Sequence, residues 1–267
     1  IQRPPRSTLF PYTTLFRSTP PGLHGKVAQQ AIAAGKHVLS TKPMDASLQA
    51  CDATIKAAEE ANVLLGIDFD RRFQDDLLSL QASVREGKLG KLLSGQCSLQ
   101  VLRGPEYFQG ISAWHGTWEL DGGGVLSNQS IHHIDELAFA LGIPSRVRCD
   151  IFTQTHDIEA EDLGTAVWVY DNGPIITFYG TTSYPQKTWY HRLDLFGTEG
   201  AFCHVEGGPY GKPETRWYVN GEWNEQAPIS VHSQWQSAVD NMAAAVRTGV
   251  ELTCTGRDGR QIGRAHV

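Results

Sequence analysis

Two side chains with complementary chemistry stand four residues apart in the segment Gly122-Gly-Gly-Val-Leu-Ser-Asn-Gln-Ser-Ile-His-His-Ile-Asp135: Asn128 and His132. Positions i and i+4 of a helix share a face, so we expect the amide and the imidazole to project together. An imidazole can take up a proton near neutral pH, and an amide can hold a hydroxyl group by donating and accepting hydrogen bonds. The pair therefore predicts proton transfer at a bound hydroxyl.

Lys42 is the third candidate, in the tripeptide Thr41-Lys42-Pro43 that follows the short apolar segment 37–40. We predict a buried strand there, which places Lys42 at its carboxyl end. Ligands of α/β proteins bind at that end of the sheet. We therefore predict that Lys42 is a cation of the site and not a solvated surface lysine.

The elements that must position these residues fall into two predicted units. In residues 19–68, helices near 23–34 and 45–61 alternate with strands near 37–40 and 63–67, which is typical of a parallel α/β sheet. Residues 69–260 predict an α+β unit with a mostly antiparallel open sheet, because short β-rich segments alternate with Gly and Asn turns. The predicted fold class is α/β: a partial Rossmann domain lacking its first strands, followed by this α+β domain.

Both ends of the chain are predicted to be foreign. Residues 9–18 and 262–267 resemble translated sequencing adapters, and residues 1–18 do not pattern as a strand or a helix. The alternative is a natural proline-rich arm. We therefore assign residues 1–18 and 261–267 to foreign ends and expect a natural part cut at both ends.

Composition narrows the class of protein. Of 267 residues, 40% are hydrophobic and 19% charged, as in a globular protein, and the net charge of −6 with no basic run disfavours nucleic acid as a partner. No apolar run reaches the roughly 18 residues needed to span a bilayer. The five cysteines are scattered, so we predict free thiols in a cytoplasmic protein: Cys51, Cys97, Cys149, Cys203 and Cys254.

Eight short motifs occur in an order that identifies a family. They are Thr19-Pro20 with His24, Gly35-Lys-His-Val38, Thr41-Lys42-Pro43, Arg71-Arg72-Phe73, the segment 122–135, Glu161-Asp162, Gly197-Thr-Glu-Gly200 and Gly256-Arg-Asp-Gly-Arg260. With them the chain resembles the Gfo/Idh/MocA family (glucose–fructose oxidoreductase, inositol dehydrogenase and relatives). The resemblance implies a Rossmann domain that binds NAD or NADP, and a second domain whose sheet forms the substrate pocket and a homo-oligomer interface.

The resemblance also assigns roles to residues. His132 is the expected base and Lys42 the cation that holds the substrate hydroxyl and orients the nicotinamide, with Asn128 positioning the hydroxyl. The expected cofactor contacts are Thr19, Pro20, His24, Lys42 and Pro43. The expected substrate contacts are Arg72, Trp118, Asn128 and His132. Two residues depart from the family pattern: Thr41 replaces the usual glutamate, and Asn128 a frequent aspartate.

Other interpretations stay open at this point. Without the family pattern, His132 is more typical of a core histidine than of a catalytic one. Arg72 is equally typical of a surface charge, and Trp114, Trp118 and Tyr184 of residues buried in the sheet. We predict no metal site, because His132 and His133 diverge on a helix. Asp135 either binds the second nitrogen of His132 or caps a loop.

The predicted activity is oxidation of a secondary hydroxyl, or reduction of the ketone, on a sugar, polyol or sugar derivative. Alternatives are a non-catalytic sugar-binding or assembly member of the family, or an epimerase or hydrolase that uses NAD. No Gly-rich phosphate-binding turn precedes Thr19, so we expect this chain to bind the cofactor poorly and to be inactive as it stands.

Overall fold

The computed structural model describes residues 13–16 and 19–264. Two sheets form the framework. The smaller has three strands in the order β1-β2-β3, and its pairs are parallel. Its elements are β1 (Thr13–Phe16), α1 (His24–Ala33), β2 (His37–Ser40), α2 (Leu48–Glu60) and β3 (Leu65–Ile67).

The first strand differs from the sequence prediction. Residues 1–18 were expected to form no strand, and this is wrong for Thr13–Phe16, which pairs in parallel register with β2. Residues 1–12, 17 and 18 lie outside the described residues. Because β1 and β2 are parallel neighbours, Thr19 and Lys42 both follow the carboxyl edge of the same sheet.

The larger sheet has eight strands and is mostly antiparallel, as predicted, with one parallel pair between β4 and β7. Its strands are β4 (Leu92–Gln100), β5 (Arg146–Phe152), β6 (Leu163–Val169), β7 (Ile175–Thr181), β8 (Tyr190–Gly197), β9 (Gly200–Gly207), β10 (Gly211–Val219) and β11 (Glu222–Asn224). The remaining helices are α3 (Asp75–Arg85), α4 (Ile131–Leu141), α5 (Ala238–Thr248) and α6 (Gly256–Arg264). None of the helices in the described ranges is long and apolar enough to cross a bilayer.

Helix α4 connects the site to the core. It packs against α3 and β4, and its residues Ile131, Ile134 and Leu137 are almost completely buried. Burying each such side chain contributes about 1.5–3 kcal/mol. The helix that carries His132 is therefore held firmly against the large sheet.

The last two helices return to the small sheet. Helix α5 packs on β2, and α6 packs on α2 and β3, although both were predicted within the second unit. Residues 261–264 continue α6, and Ile262 is 1% exposed in the core, so they are not an unstructured tail. Residues 265–267 lie outside the described residues, and the foreign origin of both ends stays a prediction.

Candidate active site

A cavity of about 420 Å³ lies between the carboxyl edge of the small sheet and the large sheet. Its lining includes Lys42, Arg71, Arg103, Asn128, His132 and Lys187. The three residues that the sequence predicted to act together thus share one cavity. Lys42 reaches it from the end of β2, His132 from the start of α4, and Asn128 from the turn 125–129 just before α4.

Lys42 is anchored by a main-chain oxygen. Its Nζ donates a hydrogen bond to the Asn128 carbonyl oxygen at 2.8 Å. The pKa of Lys42 is lowered from 10.5 to about 8, chiefly because the ammonium is buried; Asp121 and Asp70 partly oppose this effect, and Arg103 adds to it. Near neutral pH the residue is still mostly a cation, held where it can donate to a ligand oxygen.

His132 is neutral in the same cavity. Burial, together with the positive charges of Lys42 and Arg71, lowers its pKa from 6.5 to about 3. Its Nδ1 lies 3.3 Å from Asp70 Oδ1, yet the alignment gives no hydrogen bond, and this nitrogen has no partner among the described residues. The imidazole is therefore available as a proton acceptor.

Asn128 does not stand on the same helix as His132. Residues 125–129 form one wide turn, in which the Ser130 N–H donates to the Val125 carbonyl oxygen, and α4 begins only at Ile131. The expectation of one helix face with i, i+4 spacing is therefore wrong. The side chain donates instead to Asp121 Oδ1 at 2.7 Å and lies 3.2 Å from His115 Nδ1.

Asp121 was missed by the sequence prediction. It is 1% exposed and accepts hydrogen bonds from Asn128 and from the Gly116 N–H. By holding Asn128, it also fixes the carbonyl oxygen that binds Lys42. Its only signal in the sequence is its position directly before the triple glycine.

The triple glycine has a steric role. A Cβ at Gly124 would overlap the Glu161 carbonyl oxygen. The Glu161 carboxylate accepts hydrogen bonds from the N–H groups of Gly124 and Leu126 at 3.0 and 2.9 Å. The glycine lets Glu161 approach and fix the start of the wide turn.

Two of the five predicted cofactor residues, Thr19 and Pro43, are joined by a third, His24. It is 2% exposed, and its ring nitrogens lie 2.8 Å from the carbonyl oxygens of Pro43 and Thr19. Thr19 and Pro20 follow β1, while Lys42 and Pro43 follow β2. His24 thus links the loop after β1 to the loop after β2, and it does not line the cavity itself.

Arg72 was predicted to contact substrate, but it is absent from the cavity lining. It is 5% exposed, and its Nη2 donates to Asp135 Oδ1 at 2.7 Å. It also donates to the Thr253 carbonyl oxygen and pairs with Asp258. Arg72 therefore acts as a buried link between α4 and the C-terminal segment, and Asp135 is its partner rather than that of His132.

The adjacent Arg71 lines the cavity instead, and sequence analysis missed it. Its Nε donates to Glu136 Oε1, while Glu136 Oε2 lies 2.9 Å from His133 Nδ1 and 3.2 Å from His191 Nε2. Burial and the Arg71 charge hold the pKa values of His133 and His191 well below 6.5. His133 lines the cavity and is thus a neutral member of the buried network around Glu136.

The predicted aromatic contacts lie elsewhere. Trp118 is 51% exposed and donates from Nε1 to the Glu159 carbonyl oxygen, and neither Trp114 nor Tyr184 lines the cavity. Trp189 does line it, and its ring stacks with His133 at 6.3 Å. It follows a surface loop and had no distinguishing pattern in the sequence.

Comparison with known proteins gives a consistent result. Residues 16–69 match the model of an oxidoreductase family with an NAD-binding Rossmann fold, and residues 77–203 match that of the GFO/IDH/MocA C-terminal domain. The two matches reach both sheets: the first includes β2 and β3, and the second runs from β4 to the start of β9.

Two curated relatives match nearly the whole chain. One is scyllo-inositol 2-dehydrogenase (NADP(+)) IolW of Bacillus subtilis, with 32% identity over 91% of this chain and 71% of that enzyme. The other is 1,5-anhydro-D-fructose reductase of Ensifer adhaerens, with 26% identity over 92% of this chain and 72% of that enzyme.

A solved structure agrees with them. The WlbA dehydrogenase of Bordetella pertussis, in complex with NADH and UDP-GlcNAcA, has a TM-score of 0.81 and 25% identity. The similarity covers 94% of this chain and 73% of that one.

The residues at the edge of the small sheet fit a nicotinamide. Thr19 Oγ1 is buried and has no hydrogen-bond partner among the described residues, and Lys42 Nζ lies in the cavity at the neighbouring strand end. A carboxamide group has the donors and the acceptor that such groups need. Buried polar groups are ordinarily paired, so the unpaired hydroxyl favours a polar ligand at this position.

Proposed function

Because the chain belongs to the Gfo/Idh/MocA family of NAD(P)-binding sugar and polyol oxidoreductases, we propose that its cavity oxidises a secondary hydroxyl, or reduces the matching ketone. The observation that carries the proposal is the meeting of a buried lysine ammonium and a neutral histidine in one cavity, at the end of the parallel strands. We assign Lys42 and His132 to catalysis, with Asn128 as the residue that positions Lys42.

When bound, the nicotinamide supplies the acceptor for the hydride that leaves the substrate carbon. Lys42 donates a hydrogen bond to the substrate oxygen and stabilises negative charge on it. His132 accepts the hydroxyl proton. A pKa of about 3 makes it a weak base, so the proton transfer is coupled to the departure of the hydride, which makes the hydroxyl far more acidic. Asp70, 3.3 Å from Nδ1, can then stabilise the imidazolium.

The cofactor contacts are part of the same proposal. Thr19, Pro20, Lys42 and Pro43 would hold the nicotinamide, with His24 fixing the two loops that carry them. The choice between NAD and NADP stays open, because IolW is named for NADP(+) and WlbA was crystallised with NADH.

The pH dependence of oxidation tests the assignment. Because Lys42 acts as a cation with a pKa of about 8 and His132 stays neutral above about pH 3, we expect kcat/KM to fall above pH 8. Because we expect the chain as it stands to bind the cofactor poorly, the protein tested carries a Gly-rich phosphate-binding segment upstream of Thr19. The measurement is NAD(P)H formation at 340 nm with a panel of sugars and polyols from pH 6 to 10. A rise of kcat/KM through pH 8 would identify Lys42 as the base instead, and no coenzyme reduction by any panel member would reject the function.

Asp121→Asn provides the matched variant. Asp121 raises the pKa of Lys42, so its neutralisation should move the alkaline fall of kcat/KM to a lower pH. Asp150→Asn, at an exposed strand position, is the control and should leave the profile unchanged. An unshifted profile in Asp121→Asn would show that Lys42 does not set it.

We also propose that the chain forms a homo-oligomer through the open face of the large sheet. Six exposed apolar side chains project from the face opposite the helices: Val167, Ile175, Tyr179, Phe196, Tyr218 and Trp223. An apolar face of this kind marks an interaction surface, and a second copy offers a matching one. The five free cysteines support a cytoplasmic location, which belongs to the same proposal.

Light scattering coupled to gel filtration measures the oligomeric state. We expect the wild type to be oligomeric and Ile175→Lys/Trp223→Lys to be monomeric, because two charges would be buried in the interface. Val250→Lys, at an exposed position beyond the end of α5, should leave the mass unchanged. A monomeric wild type at micromolar concentration would contradict the proposal.

A further inference from the structure

The cavity has an unbalanced charge. Four of its lining side chains are cationic, namely Lys42, Arg71, Arg103 and Lys187, and Asp70 is the only carboxylate among the lining residues that the structure describes. The chain as a whole carries a net charge of −6, so this concentration of positive charge is local. Focused charge of one sign attracts ligands of the other.

Two of the four cations already have a function. Arg71 is neutralised by Glu136, and Glu206 lies 3.8 Å from its Nη1. Lys42 is the proposed donor to the reacting oxygen. Arg103 and the exposed Lys187 remain, and neither forms an ion pair with a carboxylate in the described part of the chain.

Arg103 is held in place without its charge being neutralised. Its N–H donates to the Thr182 carbonyl oxygen, and its own carbonyl oxygen lies 2.9 Å from His156 Nε2. The guanidinium lies over the Tyr107 ring at 4.9 Å, and Tyr107 is stacked on His115 at 4.0 Å. Backbone and ring contacts thus fix the side chain at the cavity wall.

The hydrogen-bonding capacity of this guanidinium is largely unused. Its Nε is buried and has no partner among the described residues, and Nη1 bonds only to the adjacent Leu102 carbonyl oxygen at 3.3 Å. A buried donor without a partner is costly. The planar fork of a guanidinium matches the two oxygens of a carboxylate or a phosphate.

We propose that Arg103 forms an anion subsite in this cavity, and that the substrate is a sugar or polyol bearing a carboxylate or a phosphate group. The ring or chain would present its reacting hydroxyl to Lys42 and His132 while Arg103 holds the anion, with Lys187 at the exposed rim. This assignment rests on the proposed oxidoreductase function and adds a substrate class to it.

The titration behaviour of the cavity supports this assignment. Burial is the largest cause of the lowered pKa values of His132 and His133, and positive neighbours add to it: Lys42 and Arg71 at His132, and Arg71 at His133. At Lys42, Arg103 lowers the pKa while Asp121 and Asp70 oppose it. A bound anion would relieve the repulsion among these groups.

Calorimetry without cofactor measures the subsite independently of turnover. We expect the wild type to bind D-glucuronate or D-glucose 6-phosphate at least tenfold more tightly than D-glucose. Whichever anion binds more tightly shows whether the subsite takes a carboxylate or a phosphate. Arg103→Gln should lose that preference and leave the affinity for glucose within about threefold of wild type, since a bidentate charged contact is removed. Arg85→Gln, whose side chain is 72% exposed on α3, is the control and should keep the preference.

Steady-state rates then separate this inference from the proposed function. The anion subsite would be overturned, and the oxidoreductase retained, by the following result: acidic and neutral sugars turn over with equal kcat/KM, and Arg103→Gln affects both equally or neither. Preferential anion binding without coenzyme reduction would retain the subsite and reject the function. Tighter binding of glucose than of both anions would also overturn the subsite.

Discussion

Lys42→Met is expected to lower kcat/KM for alcohol oxidation by about 10³-fold, the scale on which loss of one donor to a developing oxyanion acts. The wild-type ammonium donates to the Asn128 carbonyl oxygen and faces the cavity beside His132. Methionine fills a similar volume but donates nothing. Initial rates of NAD(P)H formation measure the effect. Lys56→Met, whose side chain is 75% exposed on α2, is the matched control and should retain full activity.

The same substitution should not unfold the protein. The folded-state pKa of Lys42 is about 8, against 10.5 ordinarily, so the unfolded chain binds its proton more strongly than the folded chain. The wild type should therefore gain stability as pH rises from about 8 to about 10.5, and Lys42→Met should lack that gain. Urea denaturation at pH 7.5 and pH 10 measures it. An inactive variant that is also unfolded would leave the loss of activity without a catalytic explanation.

Arg72→Met is expected to lower the free energy of unfolding by about 3–5 kcal/mol, because it leaves the buried Asp135 carboxylate without its partner. Asp135 is fully buried, and burial already raises its pKa while Arg72 counteracts that rise. Urea denaturation measures the loss. Arg85→Met, at an exposed position, should change stability by no more than about 0.5 kcal/mol.

A double variant distinguishes the ion pair from simple packing. Arg72→Met/Asp135→Leu removes both charges, so it should recover most of the stability lost in Arg72→Met. A single variant with unchanged stability but a raised KM would contradict the structural role. It would support the substrate contact first predicted for Arg72.

The main features of the site were predictable from local sequence. Lys42 follows a short apolar strand before Pro43, and His132 lies in a segment with apolar residues at helical spacing. The rules for strand ends and for helix faces therefore predicted that both residues belong to one site, and both line one cavity. Asp121 and Arg103 were not predictable in this way. Asp121 contacts Asn128 and Arg103 contacts Tyr107 within irregular loops, whose conformation no periodic pattern in the sequence predicts.

The sequence prediction assigned the substrate contact to Arg72, whereas Arg71 lines the cavity, and this error shows a second limit of prediction from sequence. Both lie in the short tight helical turn Asp70–Phe73, where successive side chains point about 120° apart. The sequence shows two adjacent arginines, but only packing against Asp135 and Glu136 decides which of them faces the cavity.

The first strand shows a limit of a different kind. Thr-Thr-Leu-Phe has the β-branched and aromatic residues that favour strands, yet it was excluded because of its resemblance to an adapter. Strand pairing through the backbone depends little on where a segment originates. The origin of a segment is therefore a poor guide to whether it pairs with a sheet.

The most direct measurement is coenzyme reduction at 340 nm by wild type and His132→Gln, each extended by a Gly-rich phosphate-binding segment upstream of Thr19, with NAD+ and NADP+ and a panel of neutral and acidic sugars. We expect the wild type to reduce one coenzyme with at least one sugar, and His132→Gln to be slower by about 10²-fold or more, because the proton acceptor is gone. Equal rates for the two proteins would contradict the assignment of the cavity as an oxidoreductase site built on His132 and Lys42.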